Sequence, residues 1–157
     1  MEKPKPVKRH KTLQPFSRDH HYGLLVCWKI RQGLKKGIEL YRIKSYTDWF
    51  WNRHLEEHFR IEEDFLFPIL GNEHEMVKRA LAEHRRIKRL FLDEDNIYKT
   101  LSLLEEELEK HIRFEERELF NMIQSLADSS VFSTLENSLE HENYTEDWND
   151  KFWEMEP

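Results

Sequence analysis

The chain is poor in the residues that build disulfide frameworks, sheets and membrane spans. Its 157 residues include one cysteine, Cys27, together with four glycines and five prolines. A single cysteine excludes an intramolecular disulfide and any cysteine-only metal cluster. So few turn-forming residues leave little material for the hairpins of a sheet. No apolar run approaches the roughly 20 residues that a membrane-spanning helix needs. These absences favour an all-α fold.

The charge of the chain narrows its class and its partners. Charged residues make up 36% and hydrophobic residues 38%, as expected of helices with charged outer faces. The formal net charge of −6 argues against nucleic acid as a partner. Residues 1–13 are basic but lack the apolar stretch of a secretory signal. We therefore expect a soluble cytoplasmic protein without a nucleic-acid or membrane partner, either a monomer or a homodimer.

Hydrophobic spacing predicts four long helices joined by short connections. They are expected over residues 17–36, with Ser17 as the N-cap, and over residues 47–70, 73–91 and 96–127. A shorter helix is expected over residues 132–141. Short connections favour antiparallel neighbours, so the sequence predicts an up-down-up-down antiparallel four-helix bundle.

The segments that flank the bundle differ from it in composition. Residues 1–12 combine two prolines with basic residues and little apolar material, which predicts a flexible, disordered basic arm. The bundle then covers residues 13–127. Residues 128–157 hold several aromatic side chains among acids, and we expect this tail or short helix to pack on the bundle as a cap.

An internal repeat links the second and fourth predicted helices. Residues 58–70, HFRIEEDFLFPIL, align without a gap on residues 111–123, HIRFEERELFNMI, and six of the thirteen positions are identical. The two helices therefore look like copies of one element, so the bundle is expected to consist of two similar helix pairs.

Polar residues interrupt the apolar face of every predicted helix. In the fourth helix, His111 and Glu115 lie between Leu108 and Leu119 on a stripe with three- and four-residue spacing. A lone histidine on such a face is more often a satisfied core residue than a ligand. Here each helix contributes one histidine, and two helices add a glutamate one turn later. The residues that share this pattern are His20, His58, Glu62, His84, His111 and Glu115.

A metal site explains why these residues lie on apolar faces. An unpaired buried carboxylate costs several kcal/mol, and no lysine or arginine lies on the same stripe next to Glu62 or Glu115. A cation accepts imidazole nitrogen and carboxylate oxygen together. Two His-x-x-x-Glu pairs on facing helices can bridge two ions with their carboxylates. Nitrogen and oxygen donors suit iron or manganese, and zinc also fits. On helix one, His20 is favoured over the neighbouring His21, which becomes the candidate if the helix is rotated.

The order of these motifs resembles the hemerythrin-like (HHE) domain family. The resemblance rests on Phe16-Ser-Arg-Asp-His20, the two His-x-x-x-Glu motifs, and the Glu83-His84-Arg segment between them, and it spans about residues 13–126. It implies a non-haem di-iron centre with His20, His58, Glu62, His84, His111 and Glu115 as ligands, the two glutamates bridging. Such centres bind or react with oxygen, and some respond to nitric oxide or peroxide.

One departure from that family's pattern bears on function. Oxygen-carrying hemerythrins place a second histidine one turn after the third-helix ligand, and here that position is Lys88. One iron is then expected to be short of a nitrogen ligand, which favours sensing, iron handling or redox chemistry over oxygen transport.

Three classes of function follow from the sequence. The first is a di-iron protein that binds or senses oxygen, nitric oxide or peroxide, or handles iron. The second is a di-iron enzyme that scavenges peroxide or nitric oxide or donates iron for cluster repair. The third is a metal-free helical interaction protein. The sequence does not choose between binding and catalysis. A further motif, His54-x-x-Glu57-His58, matches inverted zinc proteases but leaves Glu62 and the repeat unexplained.

Overall fold

A computed structural model describes residues 7–139 and 144–156, and these residues form helices without a strand. Helix α1 spans Gln14–Lys35, α3 spans Glu75–Leu92, and α5 spans Ser129–Ser138. Two longer rods, α2 over residues 40–70 and α4 over residues 97–126, complete the bundle. None of the helices in these ranges combines the length and apolar character of a membrane span. The prediction of a helical bundle is confirmed for the described part of the chain.

The two long rods contain π-helical turns at matching positions. Rod α2 consists of Leu40–Phe50, the π turn Trp51–Leu55, Glu56–Ile61, the π turn Glu62–Leu66, and Phe67–Leu70. Rod α4 consists of Ile97–Phe114, the π turn Glu115–Leu119, and Phe120–Leu126. The internal repeat thus extends to backbone geometry, because one π turn begins at Glu62 and another at Glu115. Such turns occur frequently at functional sites.

The starts of the first two helices were predicted too late in the sequence. Helix α1 begins at Gln14, because Pro15 occupies its first turn and fixes the backbone for a helix start. Ser17 is therefore not the N-cap, and its hydroxyl donates to Glu116 of α4 instead. Rod α2 begins at Leu40, just after the positive-φ Gly37 that follows α1. At the other end of the chain, α5 ends at Ser138, whereas its predicted end at residue 141 lies outside the described residues.

Helix α1 packs along α4, and α4 packs along α3. Arg31 of α1 donates to Glu105 of α4, and a Cβ atom on Gly23 would lie 2.7 Å from Ile112 Cδ1. Arg31, which follows Gly23 in α1, contacts Glu105, which precedes Ile112 in α4, so these two helices run antiparallel. The full up-down-up-down order stays a prediction.

A layer of buried polar residues divides the hydrophobic core into two clusters. In α4, Leu108 and Ile112 belong to the first cluster, whereas Leu119 and Phe120 belong to the second. Glu115 lies between them and is fully buried. On each of the other three long helices, too, a histidine or glutamate lies between residues of the two clusters. The polar layer therefore lies at one depth across the bundle.

The described part of the N-terminal segment contacts the bundle. Residues 1–6 of the predicted flexible arm lie outside the described residues. Arg9, which the sequence assigned to that arm, donates to side chains of α4, and Thr12 donates to Glu136 of α5. Leu13 is fully buried in the second hydrophobic cluster. An apolar residue and hydrogen-bonding side chains hold this segment, although its composition is basic.

The described part of the C-terminal tail also packs on the bundle. Lys29 of α1 donates to Glu146, and Arg42 of α2 forms a bidentate ion pair with Asp150. Phe152 is fully buried, and a Cβ atom on Gly33 would lie 2.8 Å from its ring. The absence of a side chain at Gly33 therefore lets the tail approach α1 closely.

Replacing Phe152 with alanine should destabilise the whole bundle. The substitution leaves a cavity in the first hydrophobic cluster, for which a loss of about 3–5 kcal/mol in the free energy of unfolding is expected. Urea titration followed by circular dichroism measures it. Met155→Ala is the matched control, because Met155 is 48% exposed and its loss should change stability by about 0.5 kcal/mol or less. Equal stability of the two variants would show that the tail does not contribute to the core.

Candidate metal centre

The structure brings all six residues predicted for the site together in the polar layer. Each is at most 4% exposed, and both glutamates are fully buried. Helix α1 contributes one histidine, α3 contributes one, and each long rod contributes a histidine and a glutamate. The set consists of His20, His58, Glu62, His84, His111 and Glu115.

The first group of donor atoms joins α1 and α2. His20 and His58 combine with Glu62 and Glu115, one atom from each lying within 4.8 Å of the others. The Nε2 atom of His20 lies 3.0 Å from Glu115 Oε1. The Nε2 atom of His58 lies 3.3 Å from Glu62 Oε2 and 3.3 Å from His20 Nε2. Both imidazoles therefore direct Nε2 to one point.

The second group joins α3 and α4 and uses the same two glutamates. His84 Nε2 lies 3.2 Å from Glu62 Oε1, and His111 Nε2 lies 3.2 Å from Glu115 Oε1. These four donors also lie within 4.8 Å of one another. Glu62 thus turns Oε2 to the first histidine pair and Oε1 to the second. The two groups are neighbours that share both carboxylates.

The donor set fits a bound cation better than it fits a hydrogen-bonded core. Among the described residues, both oxygens of Glu62 and both oxygens of Glu115 are buried without a hydrogen-bond partner. The Nε2 atoms of His84 and His111 are likewise buried without a hydrogen-bond partner. Buried polar atoms left in this way cost free energy, typically 1–3 kcal/mol each or more for charged groups. Cations held by the two donor groups would satisfy all of these atoms.

A carboxylate contacts the outer nitrogen of each of the four central histidines. These contacts orient the imidazole rings and favour the tautomer that carries hydrogen on Nδ1, which leaves the lone pair of Nε2 facing inwards. The distances are 2.7 Å from His20 Nδ1 to Glu116 Oε1, 3.0 Å from His58 Nδ1 to Asp19 Oδ2, 2.8 Å from His84 Nδ1 to Glu63 Oε2, and 2.8 Å from His111 Nδ1 to Glu83 Oε1.

These four outer carboxylates connect all the long helices in a closed ring. Each is the sequence neighbour of a central residue on a different helix from the histidine it holds. Glu116, for example, follows Glu115 on α4 and holds His20 of α1. These four carboxylates were not among the site residues predicted from the sequence. The signal for it was an acidic residue beside Glu62, Glu115, His20 and His84 in the printed sequence.

The carboxylates also control the protonation of the histidines. Burial acts to lower the pKa of His58, but Glu62 and Asp19 outweigh it and raise that pKa to about 9. In the same way, Glu115 and Glu83 overcome burial and raise the pKa of His111 to about 9.

Burial also opposes the charged forms of His20 and Glu62. Glu115, Glu116 and Glu62 nevertheless raise the pKa of His20 well above its usual value. Conversely, the three nearest histidines hold the pKa of Glu62 well below its usual value. The centre therefore attracts positive charge, whether protons or a metal cation.

The charges around the centre leave a net negative excess. Six carboxylates belong to the centre or to the outer set, and two arginines contact them, Arg9 at Glu116 and Arg79 at Glu83. With neutral imidazoles, four negative charges remain. Among the described residues, that excess is larger than the charge of one divalent cation.

His21, His74 and Lys88 are not part of the donor cluster. His21 is exposed, so His20 is the histidine of α1 that reaches the cluster. His74 caps α3, where its ring accepts from the amide of Met76. Lys88 is exposed on α3, and each donor group therefore contains two imidazoles rather than one group having three.

His54 and Cys27 lie outside the two donor groups. His54 Nε2 lies 3.6 Å from Asp19 Oδ1, on the carboxylate that holds His58. Cys27 is buried in the first hydrophobic cluster, and burial raises the pKa of its thiol. A neutral, buried thiol is typical of a core residue.

A cleft of about 700 Å³ reaches the outer side of the centre. Its lining includes the buried Asp19 and His58, the partly buried His54, and the exposed Arg53 and Arg60. Of the four central histidines, His58 is the one that contributes to the wall of this cleft.

Comparison with known proteins agrees with this geometry. Residues 16–123 match the hemerythrin HHE cation binding domain, and this range includes all six central residues. No curated protein and no solved structure matches the chain. The family match covers well over half of the 157 residues. On this evidence, the chain belongs to the hemerythrin family of HHE cation-binding domains.

Proposed function

We propose that the chain holds a non-haem di-iron centre that binds or senses oxygen, nitric oxide or peroxide, or handles iron. His20 and His58 would ligate one ion, and His84 and His111 the other. Glu62 and Glu115 would bridge the pair. The observation that carries this proposal is the sharing of both buried glutamates by two adjacent histidine pairs.

The charge of the centre supports two divalent ions rather than one. One divalent ion would leave at least two buried or half-buried negative charges uncompensated with neutral imidazoles, whereas a second ion would offset most of the remaining excess. Buried charges without compensation are costly, so a balanced site is the more stable arrangement.

The donor chemistry supports iron. Each ion would receive two imidazole nitrogens and carboxylate oxygen, and no thiolate is among the donors. Two histidines with a carboxylate and open positions are typical of non-haem iron sites. Manganese accepts the same donors, and zinc also binds imidazole and carboxylate.

Open coordination positions link the centre to small ligands. When bound, iron supplies the capacity to bind diatomic molecules or peroxide and to change its oxidation state. The residues of the chain orient the donors through the outer carboxylates and exclude bulk water with the two hydrophobic clusters. Since Lys88 is exposed one turn after His84, it adds no donor to the second group. This arrangement favours sensing, iron handling or redox chemistry over reversible oxygen carriage.

A catalytic role is the second candidate, and the cleft at His58 favours it. A di-iron enzyme that scavenges peroxide or nitric oxide, or donates iron for cluster repair, needs a route for its substrate or acceptor. The cleft of about 700 Å³ is lined by His58 together with the exposed Arg53 and Arg60. A purely structural bundle without metal, the third possibility from the sequence, has no need of two buried bridging carboxylates.

Metal content tests the shared role of the two glutamates. Wild-type protein reconstituted anaerobically with ferrous iron should contain two irons per chain by elemental analysis. Glu62→Ala should lose both, because its carboxylate belongs to both donor groups. Glu56→Ala, which removes an exposed carboxylate from the same rod, should retain two irons. An unchanged iron content in Glu62→Ala would contradict a bridging role.

The adjacent histidines of α1 provide a second matched pair. His20→Ala should weaken binding of the first ion, whereas His21→Ala should bind iron as the wild type does because His21 is exposed. Thermal unfolding with and without ferrous iron measures this difference, since a ligand that binds the native state raises the melting temperature. A loss of the iron-dependent shift in His21→Ala but not in His20→Ala would reverse the assignment.

Small ligands distinguish binding from catalysis. Iron-loaded protein should change its absorption spectrum when oxygen, nitric oxide, azide or peroxide is added. A sensor or binding protein should reach a stable, saturable spectrum, whereas a scavenger should consume peroxide or nitric oxide repeatedly. Protein loaded with zinc is the control and should give neither response. Iron-loaded protein that responds to none of these ligands would contradict the proposed ligand chemistry.

A further inference from the structure

Arg9 lies before the family domain but makes its contacts next to the metal centre. It precedes residues 16–123, and its side chain is only 14% exposed. Its guanidinium donates to Asn121 and Gln124, both at 3.2 Å. It also donates to the backbone oxygen of Glu116 at 2.7 Å and to Glu116 Oε2 at 3.1 Å. All four bonds end on a short stretch of α4.

Glu116 connects this arginine with a central histidine. Its Oε1 atom lies 2.7 Å from His20 Nδ1, while its Oε2 atom accepts from Arg9 and from the hydroxyl of Ser17. Both oxygens are thus fixed from opposite sides. The orientation of the His20 ring, and hence the direction of its Nε2 atom, depends on where this carboxylate is held.

A second arginine on the outer carboxylates provides a natural comparison. Arg79 donates to Glu83, which holds His111, but Arg79 lies one turn away on the same helix and is 52% exposed. Ion pairs of this exposed kind contribute little. Arg9 is more deeply buried and spans 107 residues of sequence to reach Glu116. Its Nη2 donates to two acceptors of Glu116, while its Nη1 donates to Asn121 and Gln124.

We propose that Arg9 is a positioning residue for the His20 side of the metal centre and acts through Glu116. The inference rests on the proposed metal-binding function. It adds to the centre a residue from outside the matched domain, and it ties the N-terminal segment to the occupancy of the first donor group.

Reciprocity follows from this linkage. If docked Arg9 strengthens metal binding, bound metal must strengthen the docking of the N-terminal segment by the same factor. Neighbouring residues of the segment also contact the bundle. The amide of His10 donates to Gln124, the His10 ring stacks on Phe132, and Thr12 donates to Glu136. Metal should therefore slow amide hydrogen exchange in residues 9–13.

The experiment compares Arg9→Met with Arg79→Met in the 157-residue chain. Metal-free protein is titrated anaerobically with cobalt(II), whose visible spectrum reports on nitrogen and oxygen ligands. A separate sample of metal-free protein is titrated with ferrous iron. Arg9→Met should raise the Kd of one of the two ions about five- to tenfold and leave the other within about twofold. Arg79→Met should change neither by more than about twofold. Arg9→Lys should recover only part of the loss, because lysine lacks the fork geometry.

Nitrogen NMR of the histidine rings separates positioning from general stability. Arg9→Met should alter the ring ¹⁵N shifts of His20 in the metal-free protein more than those of His84 or His111. If wild type binds two ions and Arg9→Met binds both with unchanged Kd, the inference is wrong, even if the variant unfolds at a lower temperature. If the wild type itself binds no metal, the proposed function fails, and this inference fails with it.

Discussion

Two carboxylates lie in the middle of this bundle, at a depth where hydrocarbon side chains normally pack. Glu62 and Glu115 are fully buried, and none of their oxygens has a hydrogen-bond partner among the described residues. The free energy needed to bury them must be offset by positive charge. That charge can come from cations bound by the four surrounding imidazoles, or from protons on those imidazoles. Most other features of the centre follow from this constraint.

The outer carboxylates follow from it directly. An acceptor at Nδ1 holds an imidazole with Nε2 facing the interior, and each of the four central histidines has one at 2.7–3.0 Å. Because each acceptor comes from a different helix, the ring of contacts also fixes the depth at which the helices meet. The two hydrophobic clusters then pack on either side of the polar layer. Binding geometry and helix packing are thus set by the same contacts.

The central residues could be predicted from the sequence because they obey helical periodicity. His111 and Glu115 occupy positions on a leucine stripe, and the repeat places His58 and Glu62 in the same way. The hydrogen-bond partners of these residues could not be predicted from the sequence. That Glu116 holds His20, or that Arg9 reaches Glu116, depends on how distant helices pack, and local spacing carries no information on that.

Helix starts illustrate the same limit. Ser17 has the residue type of an N-cap, but Pro15 begins the helix earlier and leaves Ser17 free to bond across the bundle. The tail is similar: its aromatic residues suggested packing, but the fully buried position of Phe152 against Gly33 depends on a contact between segments more than 100 residues apart. Composition alone could not predict how deeply that residue is buried.

The central claim is that two ions lie between two histidine pairs and share both glutamates. Anomalous X-ray scattering at the iron edge, measured on crystals of iron-loaded protein, tests it most directly. The account predicts two iron peaks, one beside Nε2 of His20 and His58 and the other beside Nε2 of His84 and His111, each within bonding distance of Glu62 and Glu115. A single peak, or iron bound only outside the polar layer, would contradict it.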